Sequence, residues 1–133
     1  MILGVGVDLV DVHRMERALN CRWRNRFVAK VFSEEEIADC KDTAQPAQGY
    51  AARFAAKEAL AKALGTGFSR GVSPSRIVVR GGETRQPSIA LLGRAQKLAE
   101  SMQVTAIHVS LTHTPQTACA FVVVESIYSS SRK

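Results

Sequence analysis

The first segment of the chain alternates strictly. Leu3, Val5, Val7 and Leu9 fall on one side of an extended stretch, and Gly4, Gly6 and Asp8 fall on the other. The apolar side is expected to face a core. Glycine weakens a strand unless something must approach its backbone closely, so the second face asks for an explanation. Asp11 then stands where it can cap a helix over about residues 12–20. Ser33, with Glu36 three positions later, reads as a capping box for a second helix to about residue 41. A linker containing Asp42, Thr43, Gln45 and Pro46 leads into a long helix that ends at Gly65, a C-cap residue. Residues 66–75, rich in Gly and Ser, form a loop. Short strands over 76–80 and 88–92 flank a turn at 81–87, and residues 91–102 pass from strand into an amphipathic helix. Residues 104–112 and 117–125 alternate as two strands around a hairpin at His113-Thr114-Pro115-Gln116. The pattern predicts an α+β fold with a mainly antiparallel sheet packed against helices. It forms one domain over 1–125, followed by a polar, frayed tail at 126–133.

The long helix breaks the usual amphipathic rule. A core-facing helix carries large apolar residues at i, i+3, i+4 and i+7. Here, in Phe54-Ala55-Ala56-Lys57-Glu58-Ala59-Leu60-Ala61-Lys62-Ala63-Leu64, a carboxylate stands between two lysines among small residues. Phe54, Glu58 and Lys62 follow at one-turn spacing, and Arg53 and Lys57 form the adjacent row. Such a face can admit a polyanionic ligand with a metal ion, since cations neutralise phosphate and a carboxylate holds Mg2+ through oxygen. The same Glu58–Lys62 spacing also suits a solvated ion pair worth a few tenths of a kcal/mol. Asp8 bears on the choice, because an acid in so apolar a segment needs a partner. That partner is either a local backbone amide or a divalent ion shared with Glu58, and Asp11 is the better placed of the two aspartates for capping the helix that follows.

Composition narrows the class. At 133 residues, 46% hydrophobic and 23% charged, the chain suits one packed core. No apolar run is long enough to cross a bilayer, and the N-terminal apolar stretch lacks a basic leader and is interrupted by Gly and Asp. No membrane partner and a cytoplasmic location are therefore expected. Cys21, Cys40 and Cys119 are odd in number and far apart, which suggests reduced thiols rather than a disulfide framework or a zinc site. The net charge of +6 implies an anionic partner without identifying it. Much of that charge comes early, where Arg14, Arg17, Arg22, Arg24, Arg26 and Lys30 interleave with Met15, Leu19, Trp23 and Phe27. Leu19, Trp23 and Phe27 are assigned to the core, and the arginines to a docking surface.

Three stretches together resemble the holo-acyl-carrier-protein synthases, the short phosphopantetheinyl transferases of fatty-acid synthesis. They are Val5-Gly6-Val7-Asp8-Leu9, then Arg53-Phe54-Ala55-Ala56-Lys57-Glu58-Ala59 with Lys62-Ala63-Leu64-Gly65, and His108-Val109-Ser110-Leu111-Thr112-His113. The resemblance runs from about residue 2 to residue 125. It implies transfer of the 4'-phosphopantetheine arm of coenzyme A to a serine of apo acyl carrier protein, releasing adenosine 3',5'-bisphosphate. By the same resemblance Asp8 and Glu58 hold Mg2+, and Asp8, Glu58 and Lys62 carry the chemistry. Arg53, Lys57, Lys62 and His113 meet the coenzyme phosphates. The base stays open among Glu58, a water on the metal, and Lys62. The resemblance also implies a homotrimer with sites at subunit interfaces, and an acidic carrier protein docked near Arg14, Met15 and Arg17. His108, mid-strand, is assigned a structural role. Thr112 stands where the family often has Ser, which keeps the hydroxyl. Arg85-Gln86-Pro87 replaces the family's Gly-Lys-Pro turn, so contacts made there do not carry over.

Two other readings compete at this point. A nucleic-acid-binding module would use the charge and the Arg22-Trp23-Arg24-Asn25-Arg26 run but leaves Asp8 and Glu58 without a task. A metal-dependent coenzyme A pyrophosphohydrolase would need the same ion and attack with water. The expected partners are coenzyme A and carrier protein, with no nucleic acid.

Overall fold

A long helix laid across an antiparallel sheet organises the computed structural model, which describes residues 1–81 and 85–128. The chain runs β1 (Ile2–Asp11), α1 (Val12–Asn20), α2 (Arg24–Val31), α3 (Glu34–Cys40), α4 (Pro46–Leu64), a 3-10 turn (Pro74–Arg76), β2 (Ile77–Arg80), β3 (Ser88–Leu91), α5 (Gly93–Ser101), β4 (Ala106–His113) and β5 (Thr117–Glu125). Strands β1, β5 and β4 form one antiparallel sheet in that spatial order, and β2 pairs with β3 as a separate antiparallel ladder. The caps act as expected. Asp11 accepts from the His13 amide, and Ser33 and Glu36 close a reciprocal capping box. Pro46 opens α4, and Gly65 ends it in the left-handed region at φ 87°. The turn expected over 81–87 lies partly outside the described residues.

The packing of α4 on β1 inverts the expected faces of the first strand. Val5, Val7 and Leu9 are 55, 53 and 68% exposed, and Phe121 beside them on β5 is 47% exposed. The glycine face is the one that meets the helix. A Cβ on Gly4 would run into the carbonyl oxygen of Ala63, and one on Gly6 into that of Ala59. Opposite the glycines, α4 presents Ala55, Ala56, Ala59 and Ala63, all buried. Helix and strand backbones therefore approach unusually closely, which is the requirement the paired glycines announce. Leu3 still packs against the core, next to an irregularity between Ile2 and Gly4 in the β1–β5 register.

Two apolar clusters flank α4. One fills the space between α4, the large sheet, β2 and α5; the other gathers Val12, Met15, Val31, Phe32 and Tyr50 under α1, α2 and α3. Three further expectations are corrected here. Met15 is 3% exposed and belongs to the core, so it cannot face a partner. Trp23, expected in the core, is 54% exposed and caps α2, with the guanidinium carbons of Arg22 and Arg26 lying 4.6 and 5.6 Å from its ring centroid. The tail does not fray from residue 126, since Ser126 exchanges backbone hydrogen bonds with Met1 and is buried. Residues 129–133 lie outside the described residues.

Candidate active site

The close approach of α4 to β1 brings together residues that are fifty positions apart in sequence. Asp8 lies two residues beyond Gly6 on the helix-facing side of β1, and its side chain is 13% exposed. Glu58 and Lys62 project from successive turns of α4 toward it. The Lys62 ammonium donates to Asp8 Oδ1 at 2.8 Å and to the Val7 carbonyl at 3.2 Å. The half-buried carboxyl of Glu58 has its pKa raised to about 7, first by burial, then by its hydrogen bond with Asp8 and by the Asp8 charge. Lys62 and Arg14 act in the opposite direction on it. Arg14, on α1, thus contributes charge to this centre as well as to the exposed basic surface. The Lys62 ammonium is held above its ordinary pKa by its hydrogen bond to Asp8 and by that residue's charge, so it stays a cation.

Lys57, one residue from Glu58, points elsewhere. Adjacent helix positions differ by about 100° in direction, and Lys57 enters the interior with no exposed surface. Its ammonium donates to Glu36 Oε1 at 2.6 Å, to the Pro74 carbonyl at 2.9 Å and to the Ile77 carbonyl at 2.5 Å. Glu36 Oε1 also accepts from the Ser33 amide, and Oε2 accepts from the Val79 amide. All three ammonium donors are used, so the expectation that Lys57 meets a coenzyme phosphate is corrected: it is a structural cation tying α4 to α3 and β2. Burial pulls its pKa down and Glu36 pulls it back up. Glu36 looked like a capping residue alone, and its second role left no signal in the sequence.

A cleft of about 660 Å³ opens one and a half turns back along α4, with Thr43, Gln45, Gln48, Arg53, Arg85 and His113 among its lining residues. Arg53 donates through Nη1 to the Gly49 carbonyl at 3.3 Å and through Nη2 to the Gly81 carbonyl at 3.0 Å, and Nη2 lies 3.8 Å from Asp39 Oδ2. Its Nε is buried and has no hydrogen-bond partner among the described residues. His113 ends β4 and is exposed at the cleft. Thr43, Gln45 and Gln48 went unnoticed as site residues because polar residues in a linker carry no periodic signal. His108 instead pairs with Glu125 across β4 and β5 at 2.6 Å. Arg53 and His113 do not touch the Asp8–Glu58–Lys62 centre; five residues of α4 separate Arg53 from Glu58, about 7.5 Å along the axis.

Two carboxyls and an ammonium at one point, beside a cleft edged with arginine and histidine, make a centre suited to gripping phosphate groups. Among the described residues no group of three or more His, Cys, Asp or Glu is arranged to hold a metal ion, and the centre offers two carboxyls. No helix among them is long and apolar enough to cross a membrane.

Comparison with known proteins agrees with that class. The chain belongs to the 4'-phosphopantetheinyl transferase superfamily, whose family model matches residues 4–122. It is 42% identical over 127 residues to a holo-[acyl-carrier-protein] synthase of Syntrophus aciditrophicus, covering 96% of this chain and 98% of that protein. Its fold matches the crystal structure of the corresponding synthase from Neisseria meningitidis with a TM-score of 0.85 at 31% identity, covering 95% of this chain and 100% of the other. The synthase from Bacillus anthracis, solved in complex with CoA (3',5'-ADP), matches with a TM-score of 0.76 at 31% identity over 95% of this chain and 98% of that one.

Proposed function

We propose that the chain transfers the 4'-phosphopantetheine arm of coenzyme A to a serine hydroxyl of apo acyl carrier protein in fatty-acid biosynthesis, releasing adenosine 3',5'-bisphosphate. The observation that carries this is the meeting of Asp8, Glu58 and Lys62 at the α4–β1 contact, in a chain whose relatives bear the name of that activity. In the reaction the serine oxygen bonds to the β-phosphorus, and the bond from that phosphorus to the bridging oxygen breaks. The α-phosphate leaves with the electron pair, and the serine proton passes to a base.

Asp8 and Glu58 fit a magnesium ion. They offer two hard oxygen donors that already converge, and Mg2+ is commonly held by one or two carboxylates together with substrate phosphates. Bound there, the ion supplies neutralisation of charge on the pyrophosphate oxygens. Lys62, an ammonium at this centre, adds a second cation. The serine proton then passes to Glu58 itself or to a water beside it. Arg53 and His113, both lining the cleft, receive the phosphates of the nucleotide end.

Carrier docking is assigned to Arg14 and Arg17 on the exposed face of α1. Trp23, held between Arg22 and Arg26, serves as the apolar anchor in place of the buried Met15. A homotrimer with shared sites is supported by the exposed apolar face of Val5, Val7, Leu9 and Phe121, which a second copy of the chain would cover. The nucleic-acid module leaves the carboxylate pair without a purpose, and the pyrophosphohydrolase leaves the arginine-flanked Trp23 without one. Mass spectrometry of apo carrier protein incubated with enzyme, coenzyme A and Mg2+ tests the proposal. One phosphopantetheine gained per carrier is expected; coenzyme A cleaved equally well without carrier would contradict it.

A further inference from the structure

Lys62 holds one of the carboxylate oxygens offered to the proposed ion. Its Nζ is 2.8 Å from Asp8 Oδ1 and 3.2 Å from the Val7 carbonyl. The Glu58 carboxyl lies close enough to Asp8 for the two to interact. The charge of Asp8 is therefore already compensated without any metal. The two partners differ in mobility: the Lys62 side chain is 54% exposed, on a long flexible stem, whereas the Asp8 side chain is 13% exposed on a strand whose neighbour is Ala120 of β5. An ammonium 2.8 Å from Asp8 Oδ1 and a divalent cation on the same carboxylate repel each other strongly, whichever of the two oxygens the cation takes. The ammonium is the group free to leave.

We propose that Lys62 is an internal placeholder: without substrate its ammonium occupies the Asp8 oxygen, and the substrate pyrophosphate draws it off and so opens the carboxylates to the ion. The inference rests on the reading of Asp8 and Glu58 as ion ligands. Its consequence is a coupling between two binding events. The ion alone must compete with Lys62 and binds weakly, whereas with coenzyme A present the ammonium is engaged by phosphate and the ion binds tightly. By linkage the ion strengthens coenzyme A binding by the same factor. The device keeps the carboxylates compensated in the resting enzyme and favours loading with ion and substrate together.

Mn2+ binding to the intact protein, followed by electron paramagnetic resonance of the free ion, tests this in the wild type, Lys62→Met, Arg14→Met and Asp8→Asn, with and without coenzyme A. Lys62 is exposed, so Lys62→Met should fold. Without coenzyme A, Lys62→Met is expected to bind Mn2+ about fivefold or more tightly than the wild type, and the enhancement given by coenzyme A is expected to shrink. Arg14→Met controls for charge alone. Arg14 also acts on Glu58, yet it makes no hydrogen bond to either carboxyl among the described residues, so its removal should change Mn2+ affinity by less than about twofold. An unchanged or weaker affinity in Lys62→Met, or an equal gain in Arg14→Met, overturns the placeholder. The metal reading itself survives that failure if wild type with coenzyme A binds Mn2+ and Asp8→Asn does not. Binding that ignores Asp8 under all conditions overturns both.

Discussion

At the scale of single residues, the centre depends on two acids kept close by unlike means. Asp8→Asn and Glu58→Gln keep volume but remove an anionic oxygen, so each is expected to abolish transfer while leaving the circular dichroism spectrum intact. Near wild-type turnover in either variant would remove the carboxylate pair from the mechanism. The Glu58 pKa of about 7 provides a second check. Burial raises it most, and Asp8 raises it further through a hydrogen bond and a charge. Losing the Asp8 charge should therefore move it down, while burial keeps it above the ordinary carboxylate range. A carboxyl titration by 13C NMR of the ligand-free enzyme should show Glu58 titrating near neutrality, and at lower pH in Asp8→Asn. The buried Glu36–Lys57 pair makes the opposite kind of prediction. Lys57→Met leaves Glu36 as an uncompensated interior charge and should cost about 3 kcal/mol or more of stability in urea unfolding. A loss below about 1 kcal/mol would show that the pair is not the brace described. Type and spacing singled out Asp8, Glu58 and Lys62 but suited a solvated ion pair as well, and it was the resemblance of the three stretches that joined them into one expected centre. Lys57 was misplaced because spacing along a helix gives the angle between neighbours and not which of them faces the interior.

At the scale of elements, the close packing of α4 on β1 sets the distance from Asp8 to Glu58. Gly6→Ala places a methyl against the Ala59 carbonyl, forcing strand and helix apart. A loss of about 2 kcal/mol is expected, in the range for overpacked cores, together with a fall in turnover as Asp8 moves from Glu58. A Gly6→Ala protein with unchanged melting and turnover would mean that the glycine face is not what holds the site together. Most elements were legible because their ends carry explicit chemistry: Asp11, the Ser33–Glu36 box, Gly65 and the turn after His113. The faces of β1 were not. Period-two alternation separates two sides of a strand but does not say which is packed, and hydrophobicity pointed to the wrong one. The glycines held the answer, since a helix of small residues needs a strand without side chains to lie upon. Trp23 and Met15 exchanged roles for a related reason: both are apolar, and only three-dimensional packing decides which is enclosed.

At the scale of the whole molecule, an exposed apolar sheet face and an exposed basic helix pair are the surfaces proposed for self-association and for partner docking. Val7→Asp should convert the proposed trimer to monomer in multi-angle light scattering and, with the sites shared as proposed, lower activity; a wild-type monomer would refute the assembly. Arg17→Glu is the cleaner probe of docking than Arg14→Glu, since Arg14 also acts on Glu58. It should raise the KM for carrier protein and flatten its salt dependence, leaving the KM for coenzyme A unchanged. Rim charges act through association rate and are screened within about 8 Å at physiological ionic strength. An equal effect on both substrates would place Arg17 elsewhere in the mechanism. The most direct measurement is intact-mass spectrometry of apo carrier protein after incubation with coenzyme A and Mg2+ and either wild-type enzyme or Asp8→Asn. The predicted result is one phosphopantetheine added per carrier, with an equal yield of adenosine 3',5'-bisphosphate, by the wild type alone. No mass gain with the folded wild type, or an equal gain with Asp8→Asn, would contradict it.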